Sequence, residues 1–501
     1  MSRVEQQEAP PSEARPEVNE PFHGAFLWTA AGLVIVALWI TPMFSSLWND
    51  EFGTWWVVNG SVRQTVTRAE AVQGQSPLYY LIAWGVRHVT GPNEFGMRLP
   101  SLVFSIVAAF FIYRIARRLI DAETARIAVI AFAVWPSVEF AASDMRPYAL
   151  ATLVVVASTW ALIGWLDTGR LYAAAGYVLL AALMPYVHPV FGVVLIPHAI
   201  YAWARIREGS TAVRRRDVGL AMGAIVILVI PVVLELIALW RRREISSLPR
   251  AATVPWVVEV LVPPAFVGAV VIGGIIAAPK LRIGTDLRRL RRSTLILMIG
   301  WLLIPTAILL GLSVLWSIDL LEARYLLCMT PAAVVLAAVA ARALEPAQVR
   351  RMIVLLVVVF SVLDLAAPVK SGDFRGAASL VRSVADERSV ILVPSGFQES
   401  MDQRWFVDPN RQGLLTAATS FYRVAGRVVP LPMALDATTL DFVRTQVGNA
   451  IAQTDKVLVV SQSGSSYGPW FDEYMGQRGW TSHQVGGVDL FNVTEFTRGI
   501  S

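Results

Sequence analysis

Apolar stretches long enough to cross a lipid bilayer recur along most of this 501-residue chain. Hydrophobic residues make up 55% of the sequence and charged residues only 16%, which is far more apolar side chain than a soluble core requires. A span needs about 20 predominantly apolar residues. We therefore predict an all-α polytopic membrane protein with about eleven transmembrane helices. The predicted spans are roughly 25–44, 98–116, 126–141, 148–166, 171–187, 189–204, 218–239, 258–278, 294–316, 325–341 and 352–368.

The basic residues predict how these spans are oriented. They cluster at 114–118, 205–216 and 280–292, between apolar blocks, which is typical of cytoplasmic loops rather than of a nucleic-acid interface. The stretch 76–89 ("SPLYYLIAWGVRHV") would invert all these loops if it crossed the membrane, so we predict an interfacial helix there. Several loops then face outside and collect the polar residues: 45–97, 140–147, 186–189, 240–257 and 317–324.

Composition changes at both ends of the apolar region. Residues 1–24 are rich in Pro and Glu, which predicts a disordered cytoplasmic tail, and 25–368 form the transmembrane domain. Residues 369–501 resemble a soluble chain, with helical patterns in "DFRGAASLVRSVADE" and "WFDEYMGQRGW" and strand patterns in "RSVILVP", "DKVLVVSQS" and "DLFNVTE". We predict a small extracytoplasmic α/β domain. The one cysteine, Cys328, has no partner within the chain for a disulfide or a thiolate metal site.

An acidic pair follows the first predicted span. Asp50 and Glu51 lie in "SLWNDEFGTWW", among tryptophans. One interpretation is a solvated acidic pair beside an interfacial aromatic belt. The other is a carboxylate general base at the membrane surface, positioned by aromatic rings that can stack on a sugar.

Arginines at the outer ends of predicted spans point to an anion. Arg98, Arg146 and Arg324 each open an apolar block, and Arg241 and Arg242 lie in a predicted external loop against the positive-inside rule. A single such arginine can simply snorkel to lipid headgroups. Several on one face better match a site for a lipid phosphate. Further candidate substrate contacts are Gln75, Tyr79, Tyr148, His188 and Tyr325, although interfacial tyrosines and a packed histidine are also expected in membrane proteins.

The order of short motifs resembles a known superfamily. A first span followed by "WNDE", then "QSPLYYL", "RLPSLVFSI", "RPYAL", a histidine, "RYLL" and an external "DFRGAA" segment is similar to the GT-C glycosyltransferases of the protein O-mannosyltransferase and aminoarabinose-transferase type. The resemblance covers nearly the whole chain. Members commonly have "HPPLYY" where this chain has "QSPLYY", so Gln75 and Ser76 replace the histidine and the first proline.

The resemblance implies an inverting transferase that uses a polyprenyl-phosphate sugar on the external face of the membrane, with 25–368 as the catalytic domain. It assigns Asp50 as the base and Arg98 and Arg324 to the phosphate, and Glu51 would orient the acceptor or tune Asp50. Asp50 and Glu51 could also hold a divalent cation such as Mg²⁺ or Mn²⁺. The expected partners are the donor, membrane lipids and a glycan, glycolipid or protein acceptor.

Several alternatives remain open at this stage. The sugar could be mannose or arabinofuranose, and the expected location is a bacterial plasma membrane. A transporter or flippase of lipid-linked or small solutes is the second hypothesis, although no internal repeat is visible. The third is a catalytically silent scaffold or lipid-binding receptor with the same fold. No P-loop, GxGxxG or HExxH motif points to another enzyme class.

Overall fold

The protein is described by a computed structural model over residues 32–34, 36–70, 76–240, 254–284, 290–316, 320–364, 370 and 372–498. The tail predicted at 1–24 lies outside the described residues.

The apolar two thirds of the chain are helical. Beside the α-helices, the described part of this region contains the 3-10 helices Thr41–Phe44 and Pro189–Val194 and a two-stranded antiparallel ribbon of β1 (Arg282–Ile283) and β2 (Leu344–Glu345). The α-helices are α1 (Asn49–Val58), α2 (Val62–Arg68), α3 (Leu78–Thr90), α4 (Glu94–Leu119), α5 (Ala122–Ala133), α6 (Pro136–Ala142), α7 (Tyr148–Thr168), α8 (Leu171–Val187), α9 (Leu195–Arg207), α10 (Arg215–Trp240), α11 (Val254–Leu261), α12 (Pro264–Ala277), α13 (Arg292–Trp316), α14 (Ala323–Leu326), α15 (Thr330–Arg342) and α16 (Ala347–Asp364).

The length and hydropathy of these helices make the chain a multi-pass membrane protein. Within the described residues, five helical segments are long and apolar enough to cross a bilayer, and two bent helix pairs raise the number to seven if each pair is one span. The bent pairs are Gly32–Phe44 with Asn49–Val58 and Ala122–Ala133 with Pro136–Ala142. Helices overlie the predicted spans, but the number of about eleven stays a prediction because several of these helices are shorter than a full span.

Side-chain caps mark the starts of α4 and α5. Asn93 accepts a hydrogen bond from the Gly96 backbone amide at 2.7 Å and starts α4, and Asp121 accepts one from Thr124 at 2.7 Å and starts α5. Helix α4 then packs against α5 and α7, and α7 packs against α8. These contacts bury α7 on most sides, which explains why its sequence is apolar without a single hydrophobic face.

The last part of the chain adds a five-stranded mixed sheet in the order β4-β3-β5-β7-β6. Strands β3 and β4 are parallel, β3 and β5 are parallel, and β7 pairs antiparallel with β5 and β6. The strands are β3 (Val390–Pro394), β4 (Arg427–Leu431), β5 (Lys456–Gln462), β6 (Trp480–Val488) and β7 (Phe491–Arg498). The helices are α17 (Phe374–Val384), α18 (Arg404–Val407), α19 (Pro409–Leu415), α20 (Ala417–Tyr422), α21 (Leu440–Ile451), α22 (Tyr467–Gly476) and a 3-10 turn at Gln398–Met401.

Two of these strands carry little sequence signal. β6 is an edge strand whose residues Thr481–Gln484 are exposed, so it lacks the apolar alternation of a half-buried strand. β4 is preceded by a long crossover, 395–426, that contains α18, α19 and α20. The division at 369 stays a prediction.

The crossover 395–426 packs directly on α1. Phe421 of α20 stands edge-to-face against Trp55 and Phe52, with ring centroids 5.1 and 6.4 Å apart. At Gly413, an added Cβ would lie 2.9 Å from the Trp56 indole nitrogen, so glycine permits this close approach. The crossover therefore holds the short helix that carries the acidic pair.

Candidate active site

Helix α1 directs its two acids to different sides. Asp50 and Glu51 lie in the first turn, where the helix dipole favours carboxylates, and Glu51 accepts a hydrogen bond from the Trp48 backbone amide at 3.3 Å. Successive residues of an α-helix point about 100° apart. The carboxylates of Asp50 and Glu51, although adjacent in sequence, therefore lie in different environments.

Glu51 and Arg98 form a fully buried ion pair, with both side chains 0% exposed. The guanidinium donates to the carboxylate through Nε at 2.7 Å and Nη2 at 2.5 Å. Its remaining donors reach backbone carbonyl oxygens between Pro42 and Ser46. Because the donors of Arg98 are engaged inside the protein, the geometry favours a structural role for this pair over contact with substrate.

Asp50 and Arg324 form the accessible counterpart. Arg324 Nη1 donates to Asp50 Oδ2, and the two side chains are 30% and 25% exposed for Asp50 and Arg324, respectively. Arg324 lies in α14, 274 residues further along the chain. This pair brings a carboxylate and a cation to the same exposed surface, where each can exchange its partner for a substrate group.

Four more of the sequence-predicted residues gather around that pair. Arg146 lies 3.5 Å from the Asp50 backbone carbonyl oxygen and 3.4 Å from the Thr54 hydroxyl. His188 stands 5.3 Å from Tyr148 and 5.2 Å from Tyr325, centroid to centroid. Burial, followed by the charges of Arg146 and Arg324, lowers the pKa of His188 to about 3, so its imidazole is neutral.

The other candidate residues are placed as follows. Tyr79 is buried edge-to-face against Tyr80, with centroids 5.7 Å apart, and it is Tyr80 that hydrogen-bonds with Arg146. Gln75, Arg241 and Arg242 lie outside the described residues. Among the described residues, no three His, Cys, Asp or Glu side chains come together as metal ligands, and the divalent cation considered for Asp50 and Glu51 stays a prediction.

Lys370 is a buried lysine that joins the acidic cluster and that no sequence pattern singles out. Its ammonium lies 3.2 Å from Glu51 Oε1 and 3.7 Å from Asp144 Oδ1, and it also donates to the Ser143 carbonyl oxygen. Trp48 donates its indole N–H to the same Asp144 oxygen at 2.9 Å. Burial, together with the nearby charge of Glu51, raises the pKa of Asp144 to about 7 even though Lys370 opposes the shift. Lysine in a linker has no periodicity that would predict this contact.

Glu399 is a second residue that sequence patterns do not single out. It lies in the 3-10 turn of the crossover, near the point where Asn49 donates to the Gly396 carbonyl oxygen at 3.3 Å. Burial and then the negative charge of Asp50 raise the pKa of Glu399. The crossover therefore supplies a carboxylate to the surroundings of Asp50.

Comparison with known proteins shows which families and folds this chain is similar to. Residues 74–234 match the model of the dolichyl-phosphate-mannose-protein mannosyltransferase family. The fold is similar to crystal structures of ArnT from Cupriavidus metallidurans, in the apo state and bound to undecaprenyl phosphate. Each has a TM-score of 0.55 and 12% identity, and the alignments cover 94% and 95% of this chain and 98% of ArnT.

The apo oligosaccharyltransferase of Archaeoglobus fulgidus is also similar, with a TM-score of 0.50, 11% identity and coverage of 89% of this chain and 70% of that one. A search of curated protein sequences found no significant match. The predicted resemblance to the GT-C glycosyltransferases of the protein O-mannosyltransferase type is confirmed.

Proposed function

We propose that this protein is an inverting glycosyltransferase. It would move a sugar from a polyprenyl-phosphate donor to a hydroxyl group of a cell-envelope glycan, glycolipid or protein, on the external face of a bacterial plasma membrane. The observation that carries this proposal is the accessible Asp50–Arg324 pair, with Arg146, Tyr148, His188 and Tyr325 gathered around it.

The Asp50–Arg324 pair supplies a base for the acceptor hydroxyl and a cation for the donor phosphate. An acceptor hydroxyl becomes a good nucleophile only when a base takes its proton, and Asp50 has a carboxylate free to do so once Arg324 turns to another anion. That anion is the donor phosphate, which needs cationic donors as it departs. Donor binding would thus release the base, because Arg324 cannot hold both groups with the same N–H bonds.

Inversion is the outcome expected if Asp50 acts as the base and the other nearby carboxylate, Glu399, binds the acceptor rather than the sugar. A retaining route needs a second carboxylate as nucleophile. Glu51, the neighbour in sequence, is completely buried against Arg98 and cannot reach an anomeric carbon. With Asp50 taking the hydroxyl proton, the acceptor oxygen bonds to the anomeric carbon as the bond to the lipid phosphate breaks, and the sugar is transferred with its anomeric configuration inverted.

The arginines near Asp50 and the position of the charged groups along the helices support a lipid-phosphate donor. Arg324, which is partly exposed, and Arg146, which is buried beside the Asp50 backbone, bring two positive charges together, which suits a phosphate. The similar ArnT structure was solved with undecaprenyl phosphate bound. Transporters usually place their polar site at the membrane midplane. Here the charged groups collect at the first turns of α1 and α14 and just before α7, which favours a transferase over a flippase.

The test is a thin-layer assay of the purified full-length protein in lipid, with a panel of radiolabelled polyprenyl-phosphate sugars and a membrane extract as acceptor. We expect transfer from one donor, which names the sugar among candidates such as mannose and arabinofuranose. Absence of transfer from every donor would remove the transferase proposal and favour transport or lipid binding.

Arg324→Lys tests the phosphate contact. Lysine keeps the charge but loses the planar fork of N–H donors, so we expect kcat/KM for the donor to fall about 10- to 100-fold. The measurement is initial rate against donor concentration at saturating acceptor. Arg444→Lys, in an exposed ion pair with Asp441, is the matched control and should leave kcat/KM for the donor unchanged. Unchanged donor kinetics in Arg324→Lys would contradict the assignment.

Glu399→Gln tests whether the crossover binds the acceptor. Removal of one carboxylate hydrogen bond should raise the acceptor KM about tenfold and leave the donor KM unchanged. Glu387→Gln, an exposed site in the same part of the chain, is the control. This variant is cleaner than deletion of 370–501, because the deletion would also remove Lys370 and uncover α1. Equal acceptor KM values in Glu399→Gln and wild type would show that Glu399 does not contact the acceptor.

A further inference from the structure

A second polar site lies far from Asp50, at the opposite ends of α4 and α7. Both helices begin near the acidic cluster, α4 with Arg98 in its second turn and α7 with Tyr148. The 16 residues from Arg98 to Arg114 correspond to about 24 Å along a helix at 1.5 Å per residue. The far ends of α4 and α7 therefore approach the other boundary of the membrane.

A cavity of about 640 Å³ opens between these ends. Arginines from α4 line one side, and Trp160 and Asp167 from α7 line the other. The arginines are Arg114, Arg117 and Arg118. The site is thus a basic cleft with an aromatic wall, formed by two helices that pack on each other.

The charges in this cleft do not cancel. Asp167 is already shared by Arg118 at 2.9 Å and Arg205 at 2.8 Å. Among the described residues, Arg114 and Arg117 form no ion pair; the Arg114 guanidinium instead lies 4.8 Å from the Trp160 ring centroid and that of Arg117 6.0 Å from Tyr113. At least two positive charges are therefore available to an anion.

An exposed apolar stripe runs along α4 toward the cleft. Val103, Ile106 and Phe110 are each about half exposed and lie on the same helical face as Arg114 and Arg117. This face is apolar along the membrane interior and basic at its end. The arrangement matches the two parts of a phospholipid, with acyl chains along the stripe and the headgroup at the arginines.

We propose that this cleft binds an anionic phospholipid of the leaflet opposite the Asp50 site. The phosphate of the headgroup accepts hydrogen bonds from Arg114 and Arg117, while Trp160 and Phe110 flank it. A soluble anion would contact the arginines alone and would make no contact with the apolar stripe. The proposal is independent of the glycosyltransferase reaction, because the cleft contains none of the residues assigned to it.

Native mass spectrometry of the full-length protein tests this, with dioleoylphosphatidylglycerol and dioleoylphosphatidylcholine as probes. We expect the wild type to retain the anionic lipid in preference to the zwitterionic one. The double variant R114Q/R117Q should lose affinity for the anionic lipid by about tenfold or more, because each arginine near a lipid surface is worth about 1 kcal/mol.

The matched control is R207Q/R216Q, which removes the same charge from two exposed arginines of neighbouring helices. It should retain the lipid as the wild type does. An equal loss in both double variants would overturn the proposal in favour of general surface charge. Equal binding of the two lipids, or complete displacement of the lipid by excess inorganic phosphate, would also overturn it, the latter in favour of a site for free anions.

Discussion

Asp50→Asn should reduce sugar transfer by about 10²- to 10⁴-fold, the usual contribution of a positioned general base. Asparagine keeps the size and hydrogen-bonding shape of the side chain but cannot accept the acceptor proton. Because the Asp50–Arg324 pair is partly exposed, its loss should cost little stability. We therefore expect a folded variant that still binds the lipid-phosphate donor. The measurements are transfer rate in the thin-layer assay and donor affinity on the same preparation.

The control for this variant is Asp441→Asn, which removes an exposed carboxylate from the sheet-containing part of the chain. It should transfer sugar at the wild-type rate. If Asp50→Asn transfers within about threefold of the wild type, which is well below the general-base range, Asp50 is not the base. Loss of both donor binding and transfer would instead mean that Asp50 mainly holds Arg324 in position.

Glu51→Gln should have the opposite profile, with a large loss of stability. Removal of one partner from a buried ion pair leaves an uncompensated charge and typically costs about 3–5 kcal/mol. Arg98 would remain buried with its guanidinium facing a neutral amide, and Lys370 would lose its nearest carboxylate. We expect a strongly lowered apparent Tm and a reduced monodisperse fraction in size-exclusion chromatography. Any variant protein that folds should still show measurable transfer.

Asp441→Asn is again the reference for stability, because an exposed ion pair contributes at most about 1 kcal/mol to the free energy of unfolding. A Glu51→Gln protein as stable as Asp441→Asn but unable to transfer sugar would contradict the structural role. Glu51 would then belong to the catalytic machinery, as predicted from the sequence. The geometry therefore predicts opposite effects for two adjacent carboxylates. Asp50→Asn should lose transfer and keep its stability, whereas Glu51→Gln should lose stability and keep measurable transfer.

The helices and their order can be predicted from the sequence alone. Hydropathy is a local property, so long apolar blocks such as α4 and α7 are visible without any tertiary contact. Caps such as Asn93 and Asp121 act within three residues and are equally local. The order of motifs also indicated the GT-C resemblance, which the comparisons confirm. The edge strand β6 escaped prediction because its exposed residues carry no apolar period.

Only packing distinguishes the predicted polar residues that lie at an accessible position from those that are buried within the fold. Arg98 and Arg324 look alike in sequence, since each opens an apolar block. Packing buries Arg98 against Glu51, whereas Arg324 reaches an accessible Asp50 from 274 residues away. Lys370 approaches Glu51 across 319 residues. Such contacts depend on how distant elements pack, and a charged side chain carries no periodic signal of the partner it will find.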